Sequence, residues 1–438
     1  MIIHVINQYI ERNKLLSKNK LQLIALSGGA DSIALLLLLQ ELGYQLEAVH
    51  CNFHLRGEES NRDETFVKQL CAQQNIKLHL AHFDTRTYAE LHKVSIEMAA
   101  RELRYRYFEQ LRQDINAECI CVAHHRNDSV ETMLINLIRG TGIHGLTGIH
   151  AKNGAIVRPL LCVSKKQILA YLKEKNQAYV TDSSNLVDDV VRNKIRLNVL
   201  PLLEAMNPSV IDSMADTAEW MSEAEQLYNK AIEAEIVHAV DNCRMRINDL
   251  LKSDVPHSLL YEWLRKYGFS SATIQQISDN LSAQTGRIWS SKTHYVAIDR
   301  GYLCIAEKKE KPKALRIPEP GNYCFNDESM IKVSKSDVVT VSHDAYCATL
   351  DASLVQFPLT IRPVESGDSF VPYGMNGRKL VSDYLTDRKC PVLERNQQLV
   401  VTDASGQIIW LAGHRTSQFF CVDKNTTQVL SICISKTK

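Results

Sequence analysis

Leu21-Gln22-Leu23-Ile24-Ala25-Leu26-Ser27-Gly28-Gly29-Ala30-Asp31-Ser32 is the stretch on which the fold turns. Leu21–Leu26 is a short apolar run of strand length, and it stops at Ser-Gly-Gly. The apolar segment 30–42 that follows reads as a helix ending at Gly43. Two glycines let the backbone curl until consecutive N–H groups point at one anion, and the helix start adds partial positive charge. Ser27 and Ser32 supply hydroxyl donors, and Asp31 is an oxygen ligand suited to Mg²⁺ held against phosphates. A Walker A loop is excluded, since its GK[ST] lysine is missing. The geometry therefore suits a grip on the β,γ-diphosphate of a nucleotide while the α-phosphorus is attacked. The plainer alternative is a glycine turn between strand and helix.

Outward from this loop the rhythm is β-α-β. Leu46–Cys51 reads as a second strand, and Ile120–Ala123 as another, after a helix containing Ala99–Leu111. Strands apolar on both faces imply a parallel sheet covered by helices, with ligands beyond the strands' carboxyl ends. The first domain, of class α/β, is expected over 1–214. From about Ala215 the pattern turns mostly helical, over 215–306: 218–237 and 257–267 are helices, and Ser270 or Ser271 caps 272–281. A hairpin pairs Tyr295–Ile298 with Tyr302–Ile305. The charged, Pro-rich stretch from Glu307 to Gly321 reads as a linker, within a lead-in over 307–337. A small, mainly β domain follows over 338–438, with strands at Val338–Val341, Leu359–Pro363, Leu399–Thr402, Ile408–Leu411 and Val429–Ile434.

Composition narrows the class. The 438 residues suffice for two or three domains, and 45% hydrophobic with 23% charged residues is globular. With 51 Lys+Arg against 50 Asp+Glu there is no basic tail, although a local basic face is compatible with that balance. The longest apolar run, Ile33 to Leu39, is far short of the ~20 residues that span a bilayer. The start, MIIHVINQYIERNK, lacks a signal-peptide layout. The 12 cysteines are scattered without any CxxC pair, so a cytoplasmic protein with reduced thiols is expected, without membrane association.

SGGADS resembles the loop of the PP-loop ATP pyrophosphatases, the adenine nucleotide alpha hydrolase-like enzymes that adenylate an oxygen and release diphosphate. Further motifs resemble one branch. His50-Cys51-Asn52-Phe53-His54-Leu55-Arg56 is similar to the NHxLR segment of the tRNA(Ile)-lysidine synthetases, with Ser60 and Asp63 downstream. Ala100-Arg101-Glu102-Leu103-Arg104-Tyr105 is similar to their ARxxRY helix. The run from His124 through Asp128 to Glu131 and Thr132 is similar to HHxxDxxET, trailing into Arg139-Gly140-Thr141-Gly142. Arg158-Pro159-Leu160, Asp182-Ser183-Ser184-Asn185 and Arg192-Asn193-Lys194-Ile195-Arg196 arrive in the family's order. Arg362, Gly367-Asp368, Met375, Lys379-Leu380, Asp383, Asp387 and Gly413-His414-Arg415 resemble the last domain of its three-domain members. Leu197 and Cys390 depart from the family pattern, away from the implied chemistry.

The resemblance implies a two-step reaction. ATP activates the C2 oxygen of the wobble cytidine in an isoleucine tRNA with a CAU anticodon; the ε-amine of free L-lysine then displaces AMP. The implied nucleotide site is Ser27, Gly28, Gly29, Ala30, Asp31, Ser32 and Arg158, with Asp31 holding Mg²⁺. The implied catalytic groups are Asp31, Asp128, Arg101, Arg192 and Arg196. Charge on the α-phosphate needs cations, which the arginines supply; a structural ion-pair role is their alternative. A protonated amine cannot attack, so a carboxylate must bind the ammonium and relieve it of a proton. Asp128 and Glu131 lie three apart on one helix face and are expected to grip lysine, with Asp128 the base; an N-terminal capping role is compatible with this. His124 and His125 are expected to orient the nucleotide or pack the loop.

For RNA, the expected contacts are Arg139, beside the glycine-rich loop 140–148 of the first domain, and Arg362, Lys379 and Arg415, within a C-terminal stretch 361–438 carrying ten basic and seven acidic residues. The middle and last domains would then bind tRNA, and a homodimer is left open. A thiolase on the same scaffold would need the persulfide or cluster cysteines that the lack of CxxC argues against. A glutaminase-coupled ligase would need a nucleophilic cysteine in a glutaminase domain. A non-catalytic tRNA-binding protein is expected to lose Asp31 or the glycines, and this chain keeps them.

Overall fold

The structure, a computed structural model, describes residues 2–181, 191–282, 285–310, 312–326, 329–395 and 397–436. The expected Asp182-Ser183-Ser184-Asn185 motif lies outside the described residues. By its internal contacts the chain divides into two units, Met1–Asn229 and Lys230–Lys438.

The first unit opens with helix α1 (Ile2–Arg12), strand β1 (Leu21–Ala25) and helix α2 (Ala30–Glu41). Next come β2 (Gln45–Asn52), α3 (Glu58–Gln73), β3 (Lys77–His82), α4 (Thr85–His92), α5 (Ile96–Asp114), β4 (Cys119–Cys121) and α6 (Arg126–Ile138). Short α7 (Ile143–Leu146), β5 (Lys152–Asn153) and β6 (Ile156–Val157) precede α8 (Lys165–Glu174). The six strands form one sheet in the order β3-β2-β1-β4-β6-β5, parallel except at β5.

Successive residues of β1 serve both faces. Ile24 joins a core made with α1, α2, α3 and α8, while Leu23 joins Phe108 and Leu111 of α5. Because α2 is packed between its neighbours and the sheet, everything from Ile33 to Leu39 is buried, which is why that run is apolar on all sides. The strand order reverses between β1 and β4. The loops leaving these two strands diverge to opposite sides and open a crevice at their carboxyl ends, where such sheets bind ligands.

Beyond α8 come α9 (Val191–Lys194), a π-helical stretch (Ile195–Val199), α10 (Leu200–Met206) and the long α11 (Val210–Ala239). Val130 and Leu134 of α6 pack with Ile195, Leu200 and Ile211, so this segment is pinned against α6 by apolar contact.

The expected helix 218–237 is part of α11. The second unit adds a short helix that sequence reading did not anticipate, α12 (Ile247–Lys252), and carries the other two expected helices as α13 (Pro256–Arg265) and α14 (Ser271–Ser278), the last capped by Ser270. The expected hairpin pairs His294–Asp299 with Tyr302–Glu307, and it is part of something larger: a five-stranded antiparallel sheet with Val240–Asp241, Arg244–Arg246 and Ile288–Ser290. Sequence reading missed three of these strands because they are two or three residues long. The stretch 307–337 carries strands Leu315–Ile317, Gly321–Asn326 and Ser329–Ser336, which pair with strands of the C-terminal region.

Four of the five expected C-terminal strands are present. The fifth, Val338–Val341, is not a strand; Val338 is 71% exposed, and the neighbouring strand ends at Ser336. Its valines find no core face, so their β-propensity has nothing to pack on. One expectation about thiols is also corrected. Cys347 and Cys433 face each other in register across antiparallel strands and are joined as a disulfide. No described helix is long and apolar enough to cross a membrane.

Candidate active site

The site is assembled where β1 and β4 end. After β1 the chain turns at Gly28, whose φ of +90° is natural only to glycine; a Cβ there would also sit 3.3 Å from Val67 Cγ2. The loop is braced from inside. Ser32 Oγ donates to Gly29 O at 2.9 Å, accepts from Ser27 N at 3.2 Å and lies 3.2 Å from Ser27 Oγ. Ser27 Oγ in turn accepts from Gly29 N at 3.3 Å. The Ser32 hydroxyl is buried and shapes the loop's backbone. His50 secures the entry, its Nδ1 lying 2.9 Å from Leu26 O, and burial lowers its proton affinity.

Asp31, in the first turn of α2, meets two groups. Lys165 Nζ donates to its Oδ1 at 2.6 Å, and His125 Nε2 lies 3.7 Å away. His125 leads from β4 into α6. Its backbone N–H donates to Asp128 Oδ2 at 2.9 Å, the expected helix-start contact. Its ring is buried, with Nδ1 3.5 Å from the same carboxylate oxygen.

One turn further, Glu131 is only 1% exposed. Arg196 grips it with both arms of the guanidinium, Nε to Oε1 at 2.8 Å and Nη2 to Oε2 at 2.9 Å. Arg196 also stands 3.5 Å from Asp128 Oδ1, and Arg192 Nε 3.6 Å from Glu131 Oε2. The bond to Glu131 raises Arg196's proton affinity further, so its charge is permanent. The π-helical turn carrying Arg196 widens the helix by one residue where the guanidinium must reach α6, a distortion frequent at functional sites.

Arg158 is buried beside this row. It donates from Nε to His124 Nδ1 at 3.1 Å and from Nη1 to His150 O at 2.7 Å. Burial, with Arg158, Arg192 and Arg101 nearby, pushes His124 down to about 4 against the pull of Asp128. His124 is therefore neutral and, with Nδ1 accepting from arginine, carries its proton on Nε2. Arg101 is exposed on α5, its guanidinium 5.0 Å from the Tyr105 ring.

Thus Asp31, Asp128, Glu131, Arg192 and Arg196 form one connected patch; Arg158 is bonded to His124, on which the charges of Asp128, Arg192 and Arg101 act through space. Residues missed by sequence reading are Lys165 and the bridging place of His125. The Ser164-x-x-Gln167 capping box announces a helix starting at Lys165, but nothing local says that this start faces the loop. Of the expected RNA contacts, Arg139 and Arg415 are exposed. Arg362 is held by Asp368 through two 2.8 Å hydrogen bonds, and Lys379 is paired with Asp387.

Comparison with known proteins agrees with this arrangement. The PP-loop domain family matches residues 3–203, the TilS substrate binding domain 239–309 and the TilS substrate C-terminal domain 359–433. A tRNA(Ile)-lysidine synthase of Bacteroides thetaiotaomicron is 44% identical over 98% of this chain and 99% of its own length. The chain belongs to the tRNA(Ile)-lysidine synthase family. The Parabacteroides distasonis enzyme is likewise 44% identical over 98% of this chain and 99% of itself, and that of Bacillus subtilis 30% over 94% of each. Among solved structures, the U34-tRNA thiolase NcsA of Methanococcus maripaludis aligns over 51% of this chain and 78% of itself, at 17% identity and a TM-score of 0.43. Family membership makes the protein an ATP-using ligase of tRNA modification; the thiolase-like and non-catalytic alternatives are not favoured.

Proposed function

We propose that this ligase joins the ε-amine of free lysine to C2 of the wobble cytidine in an isoleucine tRNA with a CAU anticodon, working in the cytoplasm where that tRNA is charged. The observation that carries this reading is one patch containing both half-sites: an anion-binding loop with Asp31, and a carboxylate pair with arginines a few ångströms away.

In the first step the cytidine C2 oxygen attacks the α-phosphorus of ATP and diphosphate leaves. Backbone N–H groups of Gly28 and Ala30 with the α2 terminus hold the leaving diphosphate, while Arg192, Arg196 and Arg101 offset charge near the α-phosphate. His124 offers a neutral N–H donor, and Arg158 orients it. Asp31, a carboxylate at the mouth of the anion-binding loop, suits Mg²⁺, which is commonly held by one or two carboxylates with phosphates completing its shell. Bound there, the ion would neutralise phosphate charge.

In the second step lysine attacks C2 and AMP leaves. Glu131 already carries a two-armed arginine, so Asp128, partly exposed and only 3.5 Å from Arg196, is the carboxylate open to an incoming ammonium. Asp128 takes the amine's proton; Glu131 fixes the arginines that frame the pocket. The middle and C-terminal regions hold the tRNA body, with Arg139 and Arg415 facing phosphates, and Arg362 and Lys379 ordering their loops through Asp368 and Asp387.

The test is mass spectrometry of nucleosides from a CAU-anticodon isoleucine tRNA incubated with protein, ATP, Mg²⁺ and lysine. Cytidine heavier by one lysine less water, with AMP and diphosphate formed in equal amounts, is expected. Formation of ADP and orthophosphate refutes the proposal.

A further inference from the structure

Lys165 stands outside every motif that marked the site, yet its ammonium reaches Asp31 at the mouth of the loop. Its backbone is held on three sides. Ser164 caps α8 with Gln167 reaching back to the Ser164 N–H at 2.8 Å. Asn127 Oδ1 accepts the Lys165 N–H at 3.1 Å, tying the start of α8 to the start of α6. Ile168, Tyr171 and Leu172 of α8 are buried in the core around α2. A rigid helix start thus delivers a flexible cation to the place where the phosphates would lie.

The pair itself is not a strong structural device. The two side chains are 39% and 31% exposed, and ion pairs so open to water contribute only ~0–1 kcal/mol. A weak pair of this kind exchanges partners readily when a better anion arrives. Arg126, at the start of α6, is engaged by Cys162 O and Asp212.

We propose that Lys165 is the diphosphate grip that the glycine loop itself lacks, its ammonium moving from Asp31 to the β,γ-phosphates when ATP enters. The proposal rests on the ATP-pyrophosphatase reading above. During adenylation a bond forms from the cytidine C2 oxygen to the α-phosphorus, the bond from that phosphorus to the α,β-bridging oxygen breaks, and the electron pair leaves with diphosphate. Lys165 donates hydrogen bonds to the departing oxygens and transfers no proton. Its release from Asp31 also frees that carboxylate for a cation accompanying the nucleotide.

The experiment uses the full chain carrying Lys165→Met and Lys165→Arg, with calorimetric titration of ATP and, separately, AMP, both without tRNA, and with pyrophosphate inhibition of lysidine formation. Lys165→Met is expected to weaken ATP and pyrophosphate by roughly 10- to 100-fold, the size of a lost charge-assisted hydrogen bond. AMP affinity stays within about twofold, and arginine restores most of the loss, as retention of a fixed charge requires. A merely structural lysine would weaken ATP and AMP alike, and unchanged ATP affinity would equally overturn the proposal. If wild-type protein forms lysidine with AMP and diphosphate while Lys165→Met binds ATP normally, only Lys165 is misassigned. If wild type yields no adenylated tRNA, the underlying reading has failed instead.

Discussion

Replacing Arg196 by methionine is the sharpest test of how the acidic pair is held. The substitution keeps most of the apolar stem and deletes the guanidinium, removing bonds of 2.8 and 2.9 Å to Glu131. Glu131 is 1% exposed, so its charge would remain buried, its remaining cation among the described residues being Arg192 at 3.6 Å. Breaking one side of a buried pair costs about 3–5 kcal/mol. For a unit of this size each kcal/mol shifts Tm by about 2–4 °C, so a drop of roughly 6–20 °C is expected in the transition of the N-terminal unit. Scanning calorimetry of the full chain is the assay. A second variant, Arg196→Met with Glu131→Gln, separates lost attraction from stranded charge: removing the carboxylate's charge should return at least half of the lost stability. A cost below about 1 kcal/mol, or strict additivity of the two single changes, would refute the buried-pair argument.

Three further outcomes follow from the same geometry. Asp31→Ala should abolish tRNA adenylation while tRNA affinity, measured by filter binding, falls less than about tenfold, since RNA contacts rest on distributed Lys and Arg; equal loss of both contradicts the role given to Asp31. Asp128→Asn should raise the KM for lysine by about tenfold or more and leave the KM for ATP nearly unchanged, and the reverse pattern in steady-state kinetics would move the amine site elsewhere. His124 is held down to about 4, below its ordinary value near 6.5, so the unfolded chain binds the extra proton between those pH values. Stability is then fully present above about 6.5 and is lost as pH falls toward 4, by up to about 3 kcal/mol; in urea titrations across that window, His124→Gln should flatten the slope, and an unchanged slope would contradict a neutral His124.

Much of the site was legible in the chain because its parts are local. A strand, two glycines and an apolar helix within about twenty residues specify a βα turn that binds anions, whatever surrounds it. Asp128 and Glu131 share a face because they are three apart on a helix. The C-terminal strands Leu359–Pro363 and Ile408–Leu411 were readable for the same reason, whereas Val338–Val341, equally β-prone, has no core to meet and stays open. The paired cysteines 347 and 433 were unreadable, since only register across the sheet brings residues so far apart in sequence together.

What the sequence alone determined is the loop, its helix, the parallel sheet and the list of charged groups able to serve them. What only the tertiary structure decided is which charge meets which. Lys165 comes to Asp31 because α8 packs on α2, and Arg196 takes Glu131 because apolar contact pins its helix against α6. Local propensity acts over a few residues, while the partner of a charge is chosen by packing that joins segments dozens to more than a hundred residues apart.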